Sequence, residues 1–370
     1  MSGAGAPAVE AVSAAVYDIP TDRPEADGTL AWSSTTLVVA HVVGGGRTGI
    51  GYTYAAGACK ALIEGPLAAA VVGRGVLGTG AAWQAMVRQV RNLGRPGLVS
   101  CAISAVDTAL WDLKATLLGL PVSGLLGTTR DEVPVYGSGG FTTYDDIAAR
   151  EQLELWTGVL GIPRVKIKIG ELWGAAPGRD LARIAFARKV IGPDAELYVD
   201  ANGGYTTKQA IRMAGAMAGH GVTWFEEPVS SDDLDGLREV RDQIDPDVAA
   251  GEYGYDLPYF ARMVDAAAVD CLQADVTRCG GITEWLRAAA VAAARGLQVS
   301  GHCAPNLHAH VAAAVPNLRH LEYFHDHVRI ESMVFDGALD PHGGALRPDP
   351  DRPGLGLRLK DRDADKFRVG

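Results

Sequence analysis

Long apolar runs are what this chain most clearly lacks. No stretch reaches the ~18 uninterrupted apolar residues of a membrane span, and Arg74 and Arg295 break the best candidates. No basic segment followed by an apolar run opens the chain. Met1 to Val16 is rich in alanine and glycine and reads as a short flexible lead. Cysteine is sparse: Cys59, Cys101, Cys271, Cys279 and Cys303 are odd in number, scattered and never in C-x2-C spacing. That pattern suggests neither a disulfide framework nor a zinc knuckle, and it fits a reducing cytoplasm. Basic excess is missing too. The net charge of −10 and the pI near 5.4 argue against nucleic acid or an anionic membrane as partner. An acidic small molecule is not excluded, because a local metal ion and lysines outweigh the global field.

What is present is a chain of 370 residues, 48% hydrophobic and 21% charged, long enough for a full barrel with a smaller partner domain. Residues 8 to about 56 read as β. Leu37–Val43 is a strand, Gly44-Gly45-Gly46 a turn, and Thr48–Tyr54 the return strand, while Pro20–Gly28 reads as a polar loop. Ala58–Leu93 turns helical. In Ala102–Leu118 the residues Ile103, Val106, Leu110, Leu113 and Leu117 recur at three- and four-residue steps until Gly119-Leu120-Pro121 stops the helix.

From Val133 the rhythm becomes strand–helix. The expected strands are Val133–Tyr136, Arg164–Ile169, Leu197–Asp200, Val222–Glu226, Val248–Glu252, Cys271–Asp275, Leu297–His302 and His320–Glu322, with helical patterns between them. Eight such strands predict a (β/α)8 TIM-type barrel. The chain then divides into an α+β capping domain over 1–126, a barrel over 127–330, and a Pro/Gly-rich segment over 331–370 that returns to the first domain.

Three acids each close a short apolar run: Asp200 after Leu197-Tyr198-Val199, Glu226 after Val222–Phe225, and Glu252 after Val248-Ala249-Ala250. They are equally spaced, and the interval matches one βα unit of about 25–30 residues. A barrel collects its strand ends at one face, where three converging carboxylates repel unless a cation sits between them. All-oxygen ligands suit Mg²⁺ before Zn²⁺. Each acid taken singly is an ordinary solvated strand end; together, at barrel spacing, they favour the metal.

Lys166 and Lys168 lie two apart on one strand and share a face. Each cation lowers the other's pKa, the route by which a lysine becomes a base near neutral pH. An edge strand with two solvated lysines fits the pattern equally well. Asp275 and His302 end adjacent expected strands, where the acid orients the ring and raises its pKa; a capping Asp and a satisfied core His are the plain alternative. Glu322 ends the last strand, where a carboxyl kept protonated donates to a substrate oxygen.

Taken in order, Lys166-x-Lys168, Asp200-x-Asn202, Glu226-Glu227-Pro228, Gly251-Glu252, Asp275, Gly301-His302 and Glu322 resemble the enolase superfamily, mandelate racemase subgroup. Val106–Leu113 resembles its helix signature and Pro353-Gly354-Leu355-Gly356 its closing segment. The resemblance implies Mg²⁺ on Asp200, Glu226 and Glu252, with Asn202 supporting that site. It implies Lys168 as base, with Lys166 beside the substrate carboxylate. His302 with Asp275 becomes the opposing acid/base pair, and Glu322 a donor to the carboxylate. The implied reaction is removal of the proton next to a carboxylate. Its outcome is dehydration of a sugar acid to a 2-keto-3-deoxy acid, or racemisation or epimerisation of a 2-hydroxy acid. A catalytically silent ligand-binding barrel is the alternative of another class. A dimeric or octameric homo-oligomer is implied by the family alone. Specificity is expected from the capping loops, with Arg23 and Asp27 in the first and Tyr52, Thr53 and Tyr54 near the second. The tyrosines also suit simple packing at the domain interface.

Overall fold

The structure is a computed structural model that describes residues 7–369. Part of the expected flexible lead, residues 1–6, lies outside them. The rest of that lead differs from expectation, because Val9 already begins a strand.

Strands β1 (Val9–Ala26), β2 (Ala31–Gly44) and β3 (Arg47–Tyr54) form an antiparallel sheet in that order. Gly45 and Gly46 take φ of 60° and 70°, the two positive values that a tight hairpin between right-twisted strands requires. The expected loop at Pro20–Gly28 is largely strand. Its pairing slips between Pro20 and Glu25 and resumes at Glu25↔Trp32, so the irregularity is a bulge in β1.

A helix over Leu98–Leu118 lies against this sheet and ends at Gly119 in the left-handed conformation. The approach is close because β3 presents glycine to it. A Cβ on Gly49 would stand 2.2 Å from the Ala109 carbonyl oxygen, and one on Gly51 would stand 2.3 Å from that of Ala105. The helix also carries two buried acids that fasten other parts of the chain. Asp107 accepts from Thr283 N at 2.9 Å and Thr283 Oγ1 at 2.7 Å. Asp112 accepts from Ile50 N at 2.7 Å and Leu355 N at 2.6 Å. Burial pushes both carboxyls up to about 7 against these bonds.

The barrel strands are β4 (Val133–Gly139), β5 (Arg164–Lys168), β6 (Glu196–Asp200), β7 (Val222–Glu226), β8 (Asp247–Ala250), β9 (Cys271–Ala274), β10 (Gln298–Gly301) and β11 (Leu318–Phe324). All neighbours are parallel, and β11 pairs with β4 to close the ring. Observed and expected strands agree to within a few residues. One difference matters: Glu252 lies beyond the end of β8. Gly251 turns the chain out at φ 133°, where a Cβ would stand 2.1 Å from the Gln273 carbonyl oxygen. Below the strand ends, Tyr136, Tyr198, Trp224, Ala249 and Cys271 fill the interior as a packed layer.

The division at 330/331 falls inside the helix His325–Val334. Beyond it, Leu346 and Ala345 pair with β4, Gly354 N donates to Leu120 O at 2.9 Å, and Val369 N donates to Val16 O at 2.8 Å. No helix among the described residues is long and apolar enough to cross a membrane. The five cysteines are free and buried.

Gly51→Ala should overpack the contact between strand and helix and cost about 1–3 kcal/mol. Urea unfolding followed by circular dichroism measures this. Unchanged stability would mean that the helix moves aside freely.

Candidate active site

The parallel strands deliver their last residues to one end of the ring, so Lys168, Asp200 and Glu226 lie side by side in register. Asp200, Glu226 and Glu252 are buried, and each offers an oxygen within 4.8 Å of the others'. Asp200 Oδ1 accepts from Asn202 N at 2.8 Å, and Glu226 Oε2 accepts from Trp224 Nε1 at 2.9 Å. Glu252 Oε1 lies 3.4 Å from Arg278 Nη1, and its Oε2 lies 3.1 Å from His302 Nε2. Asn202 Oδ1 and Glu227 Oε1 are buried with no hydrogen-bond partner.

The two lysines have different surroundings. Lys166 is fully buried and contacts Glu226 Oε1, with Glu322 Oε1 at 2.8 Å and Asp200 Oδ2 at 3.7 Å. The Tyr136 hydroxyl stands 3.3 Å away. Lys166 does not itself line the cavity, with Glu226 and Glu322 around its ammonium. Lys168 lines the cavity and holds Asp200 Oδ2 at 2.5 Å. Its pKa was expected to fall. Burial and Lys166 do oppose its charge, yet Asp200 at this distance holds it above the ordinary value.

On the other side, His302 Nδ1 meets Asp275 Oδ2 at 2.8 Å. Asp275 Oδ1 accepts from Thr277 N and Oγ1, both at 2.7 Å, which fixes the carboxylate. Burial opposes the imidazolium. Cys303 is the next influence, 3.3 Å from His302 Nε2, but burial pushes its own thiol up and keeps it neutral. The charges of Glu252, Glu322 and Asp275 hold the His302 proton well above the usual range. Asp275 is lowered to about 2, with His302 and Arg278 overcoming burial.

Glu322 departs from expectation. A protonated donor was expected; instead burial is overcome by Lys166 and His302, which hold the carboxyl well below its usual range. It accepts from Ser138 Oγ at 2.5 Å and Cys303 N at 3.0 Å. Lys166 Nζ at 2.8 Å is its cationic partner.

The carboxylates Asp200, Glu226, Glu227, Glu252, Asp275 and Glu322 outnumber the cations Lys166, Lys168, Arg278 and His302. The site is short of positive charge, and its oxygen-only triad fits a hard divalent ion. Burial and repulsion by Glu252 raise Glu227, and burial pushes Glu226 up to about 7 against Lys166. Uncommon backbone clusters at the same strand ends: Asn202, Glu227, Cys303 and Ala304 take φ of 45°, 37°, 52° and 38°.

A cavity of about 460 Å³ opens above these groups, roofed by the capping domain. Tyr54 lines it, but its hydroxyl points to Glu331 Oε1 at 3.3 Å and its ring stacks on His327. Tyr52 and Thr53 are fully buried, bonding Glu331 Oε1 and Thr277 O at 2.7 and 2.8 Å. Arg23 turns to Glu151 at 2.8 Å and does not line the cavity, whereas Asp27 does. Arg278, Ser138, Glu227 and Cys303 escaped the sequence reading. Arg278 follows Asp275 by three residues and Glu227 stands inside the Glu-Glu-Pro motif, so both carried a local signal. Ser138 carried none.

Two family models match the chain. Residues 8–127 match the mandelate racemase / muconate lactonizing enzyme N-terminal domain, and residues 148–364 match the enolase C-terminal domain-like family. The chain is 33% identical to L-talarate/galactarate dehydratase of Salmonella typhimurium over 274 residues, which is 73% of this chain and 66% of that protein. A structure of that dehydratase liganded with Mg and L-lyxarohydroxamate superposes with a TM-score of 0.90 at 26% identity, covering 100% of this chain and 95% of that one. The chain is also 33% identical to D-galactarolactone cycloisomerase of Agrobacterium fabrum, over 78% of this chain and 79% of that protein. A mandelate racemase/muconate lactonizing enzyme-like protein from Rubrobacter xylanophilus superposes with a TM-score of 0.94 at 50% identity, covering 98% of this chain and all of that one.

Mg²⁺ titrated into EDTA-stripped protein should bind at one site by calorimetry. Glu252→Gln should weaken binding by more than the ~10–100-fold that loss of an outer-shell partner costs. Undiminished binding in the Asp200→Asn, Glu226→Gln, Glu252→Gln triple variant would place the ion elsewhere.

Proposed function

The chain belongs to the enolase superfamily, in its mandelate racemase subgroup, and from that premise we propose that it is a Mg²⁺-dependent dehydratase of sugar acids. The observation that carries the reading is the pair of proton-transfer groups at opposite ends of one buried carboxylate triad. Lys168 stands at Asp200, His302 stands at Glu252, and both line the same cavity.

A proton next to a carboxylate is weakly acidic because its removal leaves an enediolate dianion. A divalent ion held by Asp200, Glu226 and Glu252 would supply positive charge where that dianion develops. Lys166 adds a fixed cation behind Glu226 and Glu322, acting through them. Lys168 keeps its proton while Asp200 is its own partner; with Asp200 shared among more cations, Lys168 becomes free to act as a base. His302, kept protonated by Asp275 and Glu252, is placed to protonate a departing β-hydroxyl, and water leaves. Asn202 supports the Asp200 loop.

A second reading follows from the cycloisomerase relative. If the leaving oxygen belongs to a ring, the same elimination opens the ring without loss of water. Racemisation uses the same residues, with His302 returning the proton from the opposite face. The same proposal includes a capping domain at 1–126, a barrel at 127–330, a returning segment at 331–370, a homo-oligomeric assembly and a cytoplasmic location.

Screening a library of mono- and diacid sugars for 2-keto-3-deoxy products tests the reading. Inverted acid without that product would make the enzyme a racemase or epimerase. Failure to exchange an α-proton in any acid would favour a silent barrel. Lys168→Ala should fold normally and lose about 10²–10⁴ in turnover. Lys168→Arg should fail as well, since guanidinium does not deprotonate; a near-native Lys168→Arg rate would move the base to His302. His302→Asn should abolish dehydration yet leave deuterium exchange into recovered substrate. Equal loss of exchange would make His302 the abstracting base.

A further inference from the structure

We infer that the site takes a sugar monoacid with a neutral hydroxylated tail in preference to a diacid with a carboxylate at each end; this rests on the dehydratase reading above. The cavity has a charged floor and a differently charged roof. On the floor, Lys168, Arg278 and His302 line it together with Glu252 and Glu322. The reacting carboxylate belongs there, beside the metal triad.

The roof comes from the capping domain, and its described lining residues include neither lysine nor arginine. Its one charged lining residue is Asp27. Oδ1 of Asp27 accepts from Thr29 N at 2.5 Å, Thr29 Oγ1 at 2.9 Å and Leu30 N at 2.8 Å, which closes the turn between β1 and β2. Oδ2 takes none of these bonds and is free to accept from a sugar hydroxyl. Ser34 and Thr36 add hydroxyls to the same wall.

The basic groups around that wall are neutral or already partnered, and Arg329, behind Thr35, holds Asp326 at 2.7 Å. Arg23 lies outside the cavity on Glu151. His327 lines it, but burial lowers its pKa to about 3, so its ring is neutral. Arg278 already has Glu252 at 3.4 Å and Asp275 at 3.5 Å. A diacid would bring its far carboxylate against Asp27 with no counter-charge, which costs both desolvation and like-charge repulsion. A hydroxylated tail instead donates to Asp27 and lays its C–H groups along Trp32 and Phe324. A volume of about 460 Å³ suits a small acid of this kind.

The test compares kcat/KM for matched pairs of equal carbon number and stereochemistry, such as galactonate with galactarate and gluconate with glucarate. The monoacid of the preferred pair should lead by about tenfold or more. Asp27→Asn retains the turn-closing oxygen and removes the charge, so it should shift the diacid-to-monoacid ratio about tenfold toward the diacid. A wild-type enzyme that handles the diacid equally or better overturns the inference, as does an unmoved ratio in a folded Asp27→Asn variant. If that variant does not fold, the wild-type comparison decides alone. If no acid of either class loses water or exchanges its α-proton, the dehydratase reading fails. The inference is then still judged by calorimetric affinities of the same pairs in the presence of Mg²⁺, where tighter diacid binding overturns it.

Discussion

The site depends on the attraction between Lys166 and the carboxylates around it. The ammonium is sealed in the barrel between Glu226 and Glu322, with Asp200 just beyond. A buried cation is costly unless paired, and buried carboxylates are costly for the same reason. Each therefore makes the other tolerable. With Lys166 in place, Glu322 ionises and accepts from Ser138 and Cys303, which holds the unusual backbone at Cys303 and Ala304 beside His302. Lys166 and His302 hold the Glu322 carboxyl below its usual range, and His302 in turn faces Glu252 and Asp275, which hold its proton.

A second constraint is the seam between the two lobes. The buried acids Asp107 and Asp112 on one helix hold the barrel at Thr283 and the tail at Leu355. Glu331, on the helix His325–Val334 after the last barrel strand, also ties the lobes, accepting from Tyr52, Tyr54 and Asn306. Burial pushes Glu331 up to about 7 against those bonds. These contacts place β3 over the strand ends, and Thr142 holds the turn at Asp27 by donating to Ala26 O and Asp27 O. The shape and charge of the cavity roof thus depend on hydrogen bonds made well away from the reacting atoms. The tyrosines near that roof act chiefly through Glu331, with their hydroxyls turned away from a ligand.

Much of this was legible in the sequence. Apolar runs at a βα interval located the barrel strands to within a few residues; Asp200 and Glu226 end theirs, Glu252, Asp275 and His302 follow within two residues, and Glu322 stands two short of the end of β11. Period-two geometry placed Lys166 and Lys168 on one face. These are local properties: backbone pleat and strand–helix spacing repeat wherever they occur, and a parallel barrel brings every strand's end to the same side. The prolines at Pro20 and Pro24 read as a loop, whereas the strand continues through them as a bulge in β1.

What only the tertiary structure decided is which of these groups meet and in what charge state. Lys166 and Lys168 share a face, yet one is enclosed and the other lines the cavity, because the depth of a residue along a barrel strand is set by its neighbours' register. Nothing local in the sequence shows that Glu322 meets Lys166 at 2.8 Å, which with His302 lowers its pKa. Arg278 and Ser138 join the site through contacts spanning 26 and 184 residues. Local pattern specifies the strands and the chemistry at their ends. Burial and long-range charge, which belong to no single segment, specify what that chemistry becomes.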